Sequence, residues 1–485
     1  MKYNKTLISI NNVIKTFPVK KLHMLYKEKI NFKAIDNISL NISVGETVGI
    51  VGESGCGKST FGRTILQLYK QTSGRTMYYG KTIEELHPKY IKILLKNLKT
   101  EINRYNKLLE NKNKLEKQNK LSASYNHIIR LREINKKEQE LLLDITNIIG
   151  GFIVADNIDY ISQLFLKEYK AKLHAVKLKD IINSKNTKNI KKTIDLYNKK
   201  QLISKEMRKL INKEKEKYTQ NLEFEKYENN LDNGINLAKL TSSEMRLLRR
   251  DLQVVFQDPH SSLDPRMTVG QIIGEGLLAH GIFKKNDDKM QEYIMKIMED
   301  CGLSGYMLHR YPHQFSEGQR QRVNIARTLA LKPKFVVCDE VVSALDVSIQ
   351  SQIINLLLDL KEKEGLTYLF ISHNLNVVKY ISDKIGVMYL GNLIELCDSE
   401  ELFKNPFHPY SKALIDSIPT TDGKDDNMIL LEGDMPSPIN PPNGCKFHTR
   451  CPHCKEICEN VIPEFIEYEK NHFVACHMRG KKNDI

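Results

Sequence analysis

The segment Gly52-Glu-Ser-Gly-Cys-Gly57-Lys58-Ser59-Thr60 constrains this chain more than any other, because it fits G-x-x-x-x-G-K-[ST] and joins a short apolar run to a helical pattern. Thr47 to Val51 reads as a buried strand, and Phe61, Ile65, Leu66 and Tyr69 follow at helical spacing. Small residues at Gly52, Ser54, Gly55 and Gly57 let backbone N–H groups wrap phosphates at a helix N-terminus. Lys58 would then reach the β and γ phosphates and Ser59 would ligate magnesium, with Thr60 closing the motif.

A second apolar run, Phe335-Val-Val-Cys-Asp339-Glu340, delivers two carboxylates to a strand end, the edge at which α/β sheets bind ligands. Asp339 suits a magnesium ligand, directly or through water, and Glu340 suits a group that orients or deprotonates water. Around these motifs, Ile8 to Phe17 and Ala34 to Ile42 alternate as half-buried strands do. Further on, strand Leu252 to Phe256, a helical region from Val269 to Leu303, strand Lys334 to Cys338, helix Val347 to Lys363 and strand Thr367 to Ile371 alternate. The alternation predicts a parallel sheet covered on both faces.

A chain of 485 residues suggests roughly three folding units, and 41% hydrophobic residues exclude global disorder. Its longest apolar runs fall short of the roughly 18 residues a membrane span needs, and Met1 to Ile10 lacks a signal-peptide core, so a soluble, cytoplasmic chain is expected. The net charge of +15 is concentrated: residues 81–233 hold 33 basic and 21 acidic side chains, a difference of +12. That segment contains no cysteine and one proline, Pro88, and reads as an insertion. Within it Ile91, Leu95, Leu98, Ile102, Tyr105 and Leu109 recur every 3.5 residues, a coiled-coil seam. Helical stretches follow at Ile128 to Ile149, Leu164 to Ile182 and Ile190 to Leu222. With Gly150-Gly151 taken as the break, the segment predicts an antiparallel arm whose legs of roughly 60 to 75 residues reach about 100 Å at most. The basic excess is most simply a solvated helical face. The expected division is 1–80, 81–233, 234–404 and a loop-rich, cysteine-containing tail, 405–485.

Phe315-Ser316-Glu317-Gly318-Gln319, followed by Arg320-Gln-Arg322, resembles the signature of ABC ATPases, usually LSGGQ. In the same family order stand Gln257 in VFQDP, similar to the Q-loop, Ser343-Ala-Leu-Asp346, similar to the D-loop, and His373 in ISHNL, similar to the switch histidine. Phe17 in VIKTFP sits where the family stacks an aromatic ring on adenine. The chain resembles most the OppF-type ATPases of oligopeptide importers, through RYPHQFSEGQRQR, NPFHPYSKALIDSIP and PSPINPPNGCKFHTRCP. The resemblance covers nearly everything except 81–233. It implies a P-loop ABC ATPase fold, with a RecA-like parallel-sheet core, antiparallel β and helical subdomains, the inserted helical arm and the small tail. Two positions depart: Glu317 replaces a usual glycine, and Val341 follows Glu340 where proline is common.

The resemblance further implies a subunit that binds and hydrolyses ATP to energise import of oligopeptides or dipeptides, nickel chelates being served by close relatives. It implies MgATP, with Ser59, Gln257 and Asp339 at the metal, and Glu340, Gln257 and His373 acting in hydrolysis. Each ATP would lie between Lys58 and Glu340 of one chain and Ser316, Gly318 and Gln319 of another, with Asp346 beside them. The implied partners are an OppD-like ATPase in a heterodimer, two transmembrane permease subunits and an extracellular substrate-binding protein. The implied place is the cytoplasmic face of the membrane, with no nucleic acid expected. Similar importer ATPases carry a tail cysteine pattern like Cys445, Cys451, Cys458 and Cys476, separated here by five, six and seventeen residues. Some hold a [4Fe-4S] cluster there, and tetrahedral zinc is the alternative; Cys454 departs from the pattern. A second class of function, a chromosome-associated ATPase of the SMC kind, also combines these motifs with a coiled coil. In those proteins, however, the coil begins after the Q-loop, whereas here the insertion ends before Gln257.

Overall fold

The computed structural model describes residues 5–19, 31–121, 125–183, 189–285, 287–343, 345–418 and 433–479. They form two compact units, one drawn from residues 1–76 and 245–485 and the other from residues 77–244. In chain order the strands are β1 (Thr6–Pro18), β2 (Asn31–Ser43), β3 (Thr47–Val51), β4 (Ser73–Tyr78), β5 (Ile235–Asn236), β6 (Leu252–Val255), β7 (Phe335–Asp339), β8 (Thr367–Ile371), β9 (Lys384–Tyr389), β10 (Asn392–Asp398), β11 (Ile466–Glu469) and β12 (His472–Val474).

In the first unit every residue of β3, β7 and β8 is buried, which is why these runs are continuously apolar rather than alternating. They form the centre of a parallel array ordered β9-β3-β8-β7-β6. Beyond β9 the pairing turns antiparallel through β10, β12 and β11, so the last two strands of the tail extend the central sheet. A buried carboxylate ties this extension down. Glu395 on β10 accepts the N–H groups of Phe407 at 2.6 Å and His408 at 3.0 Å, and lies 2.7 Å from His472 Nε2 on β12. Burial pushes its carboxyl up, but the hydrogen bonds from His472, Ser411, Phe407 and His408 outweigh it and hold the group below its ordinary range. β1 and β2 are strands, as their alternation predicts, and pair antiparallel. The helical region expected from Val269 to Leu303 is two helices, Val269–Ala279 and Asp288–Asp300.

The second unit is helical apart from a short strand pair, Met77 opposite Asn236 and Tyr78 opposite Ile235. The single long arm expected there is not what forms. The seam from Ile91 to Leu109 is split at Asn97 into helices Lys89–Lys96 and Leu98–Leu121, and the stretch expected from Ile190 to Leu222 ends at Glu216. Leu98–Leu121 packs on Tyr125–Ile149, and Ile158–Asn183 packs on Ile190–Glu216, giving two shorter hairpins. Among the described residues the longest helix has 27 residues, about 40 Å at about 1.5 Å per residue. Gly150 and Gly151 are not the tip between two legs. They open a 3-10 turn over which helix Leu222–Glu228 passes, and a Cβ on Gly151 would lie 2.4 Å from the Phe224 carbonyl oxygen. The glycine pair therefore serves close approach, which a sequence pattern does not distinguish from a turn. No helix among the described residues is long and apolar enough to cross a membrane.

Candidate functional site

The phosphate loop follows β3 directly. Gly52 and Gly57 adopt φ of 150° and 104°, and Cβ atoms there would stand 2.2 Å from the Met388 carbonyl oxygen and 2.4 Å from that of Ala34. Only glycine fits either position. Helix Lys58–Ile65 starts at Gly57 with no side-chain cap, so its first-turn N–H groups remain open to an anion. Lys58, almost wholly buried, bridges the loop by donating to the carbonyl oxygens of Gly52 at 2.8 Å and Glu53 at 3.0 Å. Ser54 and Gly55 are exposed on the loop, and Ser59 and Thr60 are half-buried behind it.

Register brings the carboxylates to the same edge. Ile50 and Asp339 both stand opposite Ile371, so β7 ends level with the start of the loop, one strand away. Asp339 is fully buried; Oδ2 lies 3.2 Å from Arg63 Nη2, and Oδ1 has no hydrogen-bond partner. An orphaned buried carboxylate oxygen on this edge fits a hard cation, so Asp339 and Ser59 suit magnesium. Glu340 has φ of 51°, an uncommon left-handed conformation for a non-glycine residue, held by its N–H donating to Ile371 O at 2.9 Å and by Ser343 Oγ donating to its carbonyl. The turned side chain accepts Gln257 Nε2 at 2.9 Å and stands 3.5 Å from His373 Nδ1. Gln257 and His373, from separate segments, thus meet at the Glu340 carboxylate.

Phe17 is half-buried, edge-on to Tyr69 at 5.5 Å, and the Tyr69 hydroxyl lies 3.4 Å from Arg63 Nη1. Arg63, which joins the aromatic pair to Asp339, was missed by motif reading. It sits one helical turn beyond Ser59, and that spacing was the available signal. Ser316 and Gln319 close a reciprocal capping box on helix Glu317–Leu329: Ser316 Oγ accepts the Gln319 N–H and Gln319 Oε1 accepts the Ser316 N–H. Gly318 is buried where a Cβ would meet Ile349 at 2.6 Å, whereas Ser316 and Glu317 are exposed. Asp346 occupies the N-cap of helix Val347–Glu364 without a side-chain capping bond, and Val347 beside it is 79% exposed. Ala344, within the same motif, lies outside the described residues, as does Pro419 of the tail motif. Among the described residues, no hydrogen bond or ion pair joins the signature or Asp346 to the phosphate loop of the same chain.

The tail cysteines lie near one another. Burial first, and then the nearby thiols of Cys458, Cys476 and Cys451, push Cys445 up to about 11, and the Cys445 N–H donates to the Cys458 carbonyl at 2.7 Å. A tetrahedral zinc with sulfur ligands at about 2.3 Å would draw the sulfurs to about 3.8 Å from each other. No three of these thiols come within 4.8 Å among the described residues; the group that does is Glu395, Cys397 and His472, whose carboxylate is already hydrogen-bonded. The cysteines as placed do not fit a single zinc ion.

A family model described as ABC transporter matches residues 35–235 and 209–343, which together span more than half of the chain. The chain belongs to the ABC transporter family. A second family model, described as oligopeptide/dipeptide transporter, C-terminal region, matches residues 394–458. The oligopeptide transport ATP-binding protein AppF of Bacillus subtilis is 33% identical over 480 residues, 98% of each chain. The putative oligopeptide transport ATP-binding protein YkfD of the same organism is 48% identical over 248 residues, half of this chain and 75% of that one. A solved bacterial ABC transporter cassette, MJ0796, aligns at 18% identity with a TM-score of 0.44, covering 81% of this chain and 99% of that one. As a member of the family the chain is an ATPase, and ATP with magnesium is the family's nucleotide and metal.

Proposed function

We propose that this chain is the ATP-binding and ATP-hydrolysing subunit of an importer of oligopeptides or dipeptides. The observation that carries the reading is the Glu340 carboxylate, turned by a left-handed backbone toward Gln257 and His373 at the end of β7, one strand from an uncapped phosphate loop. On this reading Lys58 and the loop N–H groups hold the β and γ phosphates, and Ser59, Asp339 and Gln257 hold magnesium, which neutralises phosphate charge when bound. Glu340 orients a water for in-line attack, accepts its proton and is itself placed by Gln257 and His373. Phe17 supplies an aromatic face for adenine. Ser316, Gly318 and Gln319, with Asp346, face the nucleotide of a second, OppD-like cassette in a heterodimer. The exposed, unbonded Asp346 and Val347 support such a covered surface. On this reading the chain works with two permease subunits and a substrate-binding protein and lies peripherally on the cytoplasmic face of the membrane.

In the same reading residues 81–233 are an insertion between two halves of the cassette, 1–80 and 234–404. The strand pair Met77–Asn236 and Tyr78–Ile235 supports this, since the segment leaves and re-enters at one place. The tail, 405–485, holds a [4Fe-4S] cluster on Cys445, Cys451, Cys458 and Cys476. A polynuclear centre spreads its thiolates wider than one zinc ion does, and iron and sulfide analysis of anaerobically purified protein tests it.

For the ATPase, the decisive experiment is turnover and MgATP affinity in the reconstituted complex. Glu340→Gln lowers turnover by about 10²–10⁴-fold with MgATP still bound, whereas Lys58→Ala weakens binding itself. Near-normal turnover by Glu340→Gln removes that carboxylate from the chemistry.

A further inference from the structure

The phosphate loop carries an acidic residue, Glu53, between Gly52 and Ser54, in the loop where the family's most anionic ligand group docks. A carboxylate there repels phosphate unless it is neutralised and turned aside. Both are done by the tail. Arg450, whose side chain is 94% buried, donates through Nη1 to Glu53 Oε1 at 2.9 Å and Oε2 at 3.2 Å. The Tyr410 hydroxyl accepts the Glu53 backbone N–H at 3.0 Å.

These two residues are firmly mounted. Phe447, fully buried, packs edge-on against Tyr389 at 5.3 Å and against Tyr410 at 5.4 Å. On its other side Lys446 donates to Asp36 Oδ2 at 3.1 Å and to the Leu390 carbonyl at 2.9 Å. Residues 446–450 therefore span from β2 to the phosphate loop as one peg, seated in an aromatic cluster. A buried guanidinium with a carboxylate partner keeps that partner in one place, because separating them strands a charge out of water.

We propose that Arg450 and Tyr410 are positioning residues for the phosphate loop, holding Glu53 neutralised and turned away so that the loop receives nucleoside di- and triphosphates. The proposal rests on the nucleotide-binding reading above and assigns to the tail a part in that site. The test uses the full-length chain, with dissociation constants for MgATP, MgADP and AMP and the melting temperature of each variant. Arg450→Met weakens MgATP about tenfold, MgADP less and AMP least, because ADP lacks the γ phosphate and AMP both the β and γ phosphates that the loop would hold. Arg450→Lys recovers part of the loss, and Glu53→Gln placed on Arg450→Met brings MgATP back to within about threefold of wild type, since the repelling charge is gone. Tyr410→Phe, which keeps the ring and removes only the acceptor, loses about threefold and serves should Arg450→Met fold poorly.

Arg450→Met binding MgATP within twofold of wild type, or losing affinity for all three nucleotides equally, overturns the proposal while the ATPase reading stands. A wild-type chain with no MgATP affinity overturns both.

Discussion

Strand β7 and helix Leu98–Leu121 show two ways in which sequence is held to structure. Every residue of β7 is buried, and its last position is the fully buried Asp339. In the helix, Leu98, Ile102 and Tyr105 are buried while most of its turns are Asn, Lys and Glu on open faces. A strand covered on both sides has no position free to drift, so its apolar run and the carboxylates it delivers stand out in the sequence. A helix buried along one stripe needs only that stripe. The first unit is therefore specified residue by residue, and the second through a few anchors.

The largest effect that tests this contrast lies at the anchor of the second unit. Phe152 is buried and meets Phe165, Tyr218 and Phe224 edge-on at 5.7, 6.2 and 5.3 Å. Phe152→Ala is expected to cost about 3–5 kcal/mol, read as an earlier melting of the helical unit, with MgATP affinity unchanged within twofold. A parallel fall in nucleotide affinity breaks the comparison, because the two units would then be one cooperative structure.

How much was legible follows the same division. The phosphate loop, the Asp339-Glu340 pair and the parallel strands were readable because burial on two faces and glycine-only backbone leave little choice of residue. Gln257 and His373 were placed by order along the chain, and the structure brings both to Glu340. Arg63 had only its place one helical turn beyond Ser59 to mark it, and Tyr410 and Arg450 had nothing. Their partners lie 276, 357 and 397 residues away in the chain, and an arginine or tyrosine carries no sign of a contact at that distance. The break at Asn97 and the packing role of Gly150-Gly151 were misread because a 3.5-residue period survives a kink, and a glycine pair marks a turn and a close crossing alike.

A smaller effect separates the units by pH. In the first, His408 is buried at the N-cap of helix Pro409–Asp416, and its Nδ1 accepts the Tyr410 N–H at 3.1 Å. Burial, partly offset by the charge of Glu395, pushes it down to about 4. An unfolded histidine titrates near 6.5. Above that pH both states are neutral and nothing is lost. As pH falls from 6.5 toward 4 the unfolded chain takes a proton that the fold refuses, and stability drops by about 3 kcal/mol in all. His408→Asn keeps a capping acceptor without titrating, so it flattens this fall in the first unit's melting. In the second unit burial also pushes His87 down, so its melting should keep its own acid sensitivity in the His408→Asn chain. A pH profile of the first unit unmoved by His408→Asn assigns the acid loss elsewhere.

The smallest expected effect is the sharpest test of the contrast. Met77 pairs with Asn236 and Tyr78 with Ile235, so residues 79–234 leave and re-enter at the end of one strand pair. Gly80 and Gly234 stand at the two edges, and Tyr79 packs against Gly234, where a Cβ would meet its ring at 2.5 Å. Removing residues 81–233 and joining Gly80 to Gly234 leaves Tyr79-Gly80-Gly234 as a three-residue loop, a common hairpin length, with glycine at two positions able to take a left-handed conformation. The deletion discards the buried cluster around Phe152, but that cluster is built from residues 91–224, so its apolar surface leaves with its own partners. The shortened chain is expected to melt cooperatively and to bind MgATP within about twofold of the full chain, because no residue of the phosphate loop or of the Glu340 cluster is removed. Calorimetry and nucleotide titration of the purified deletion check this. An insoluble product, or a melting transition without cooperativity, would make the helices part of the fold that carries the nucleotide site, and the division between a residue-by-residue unit and an anchored one would fail.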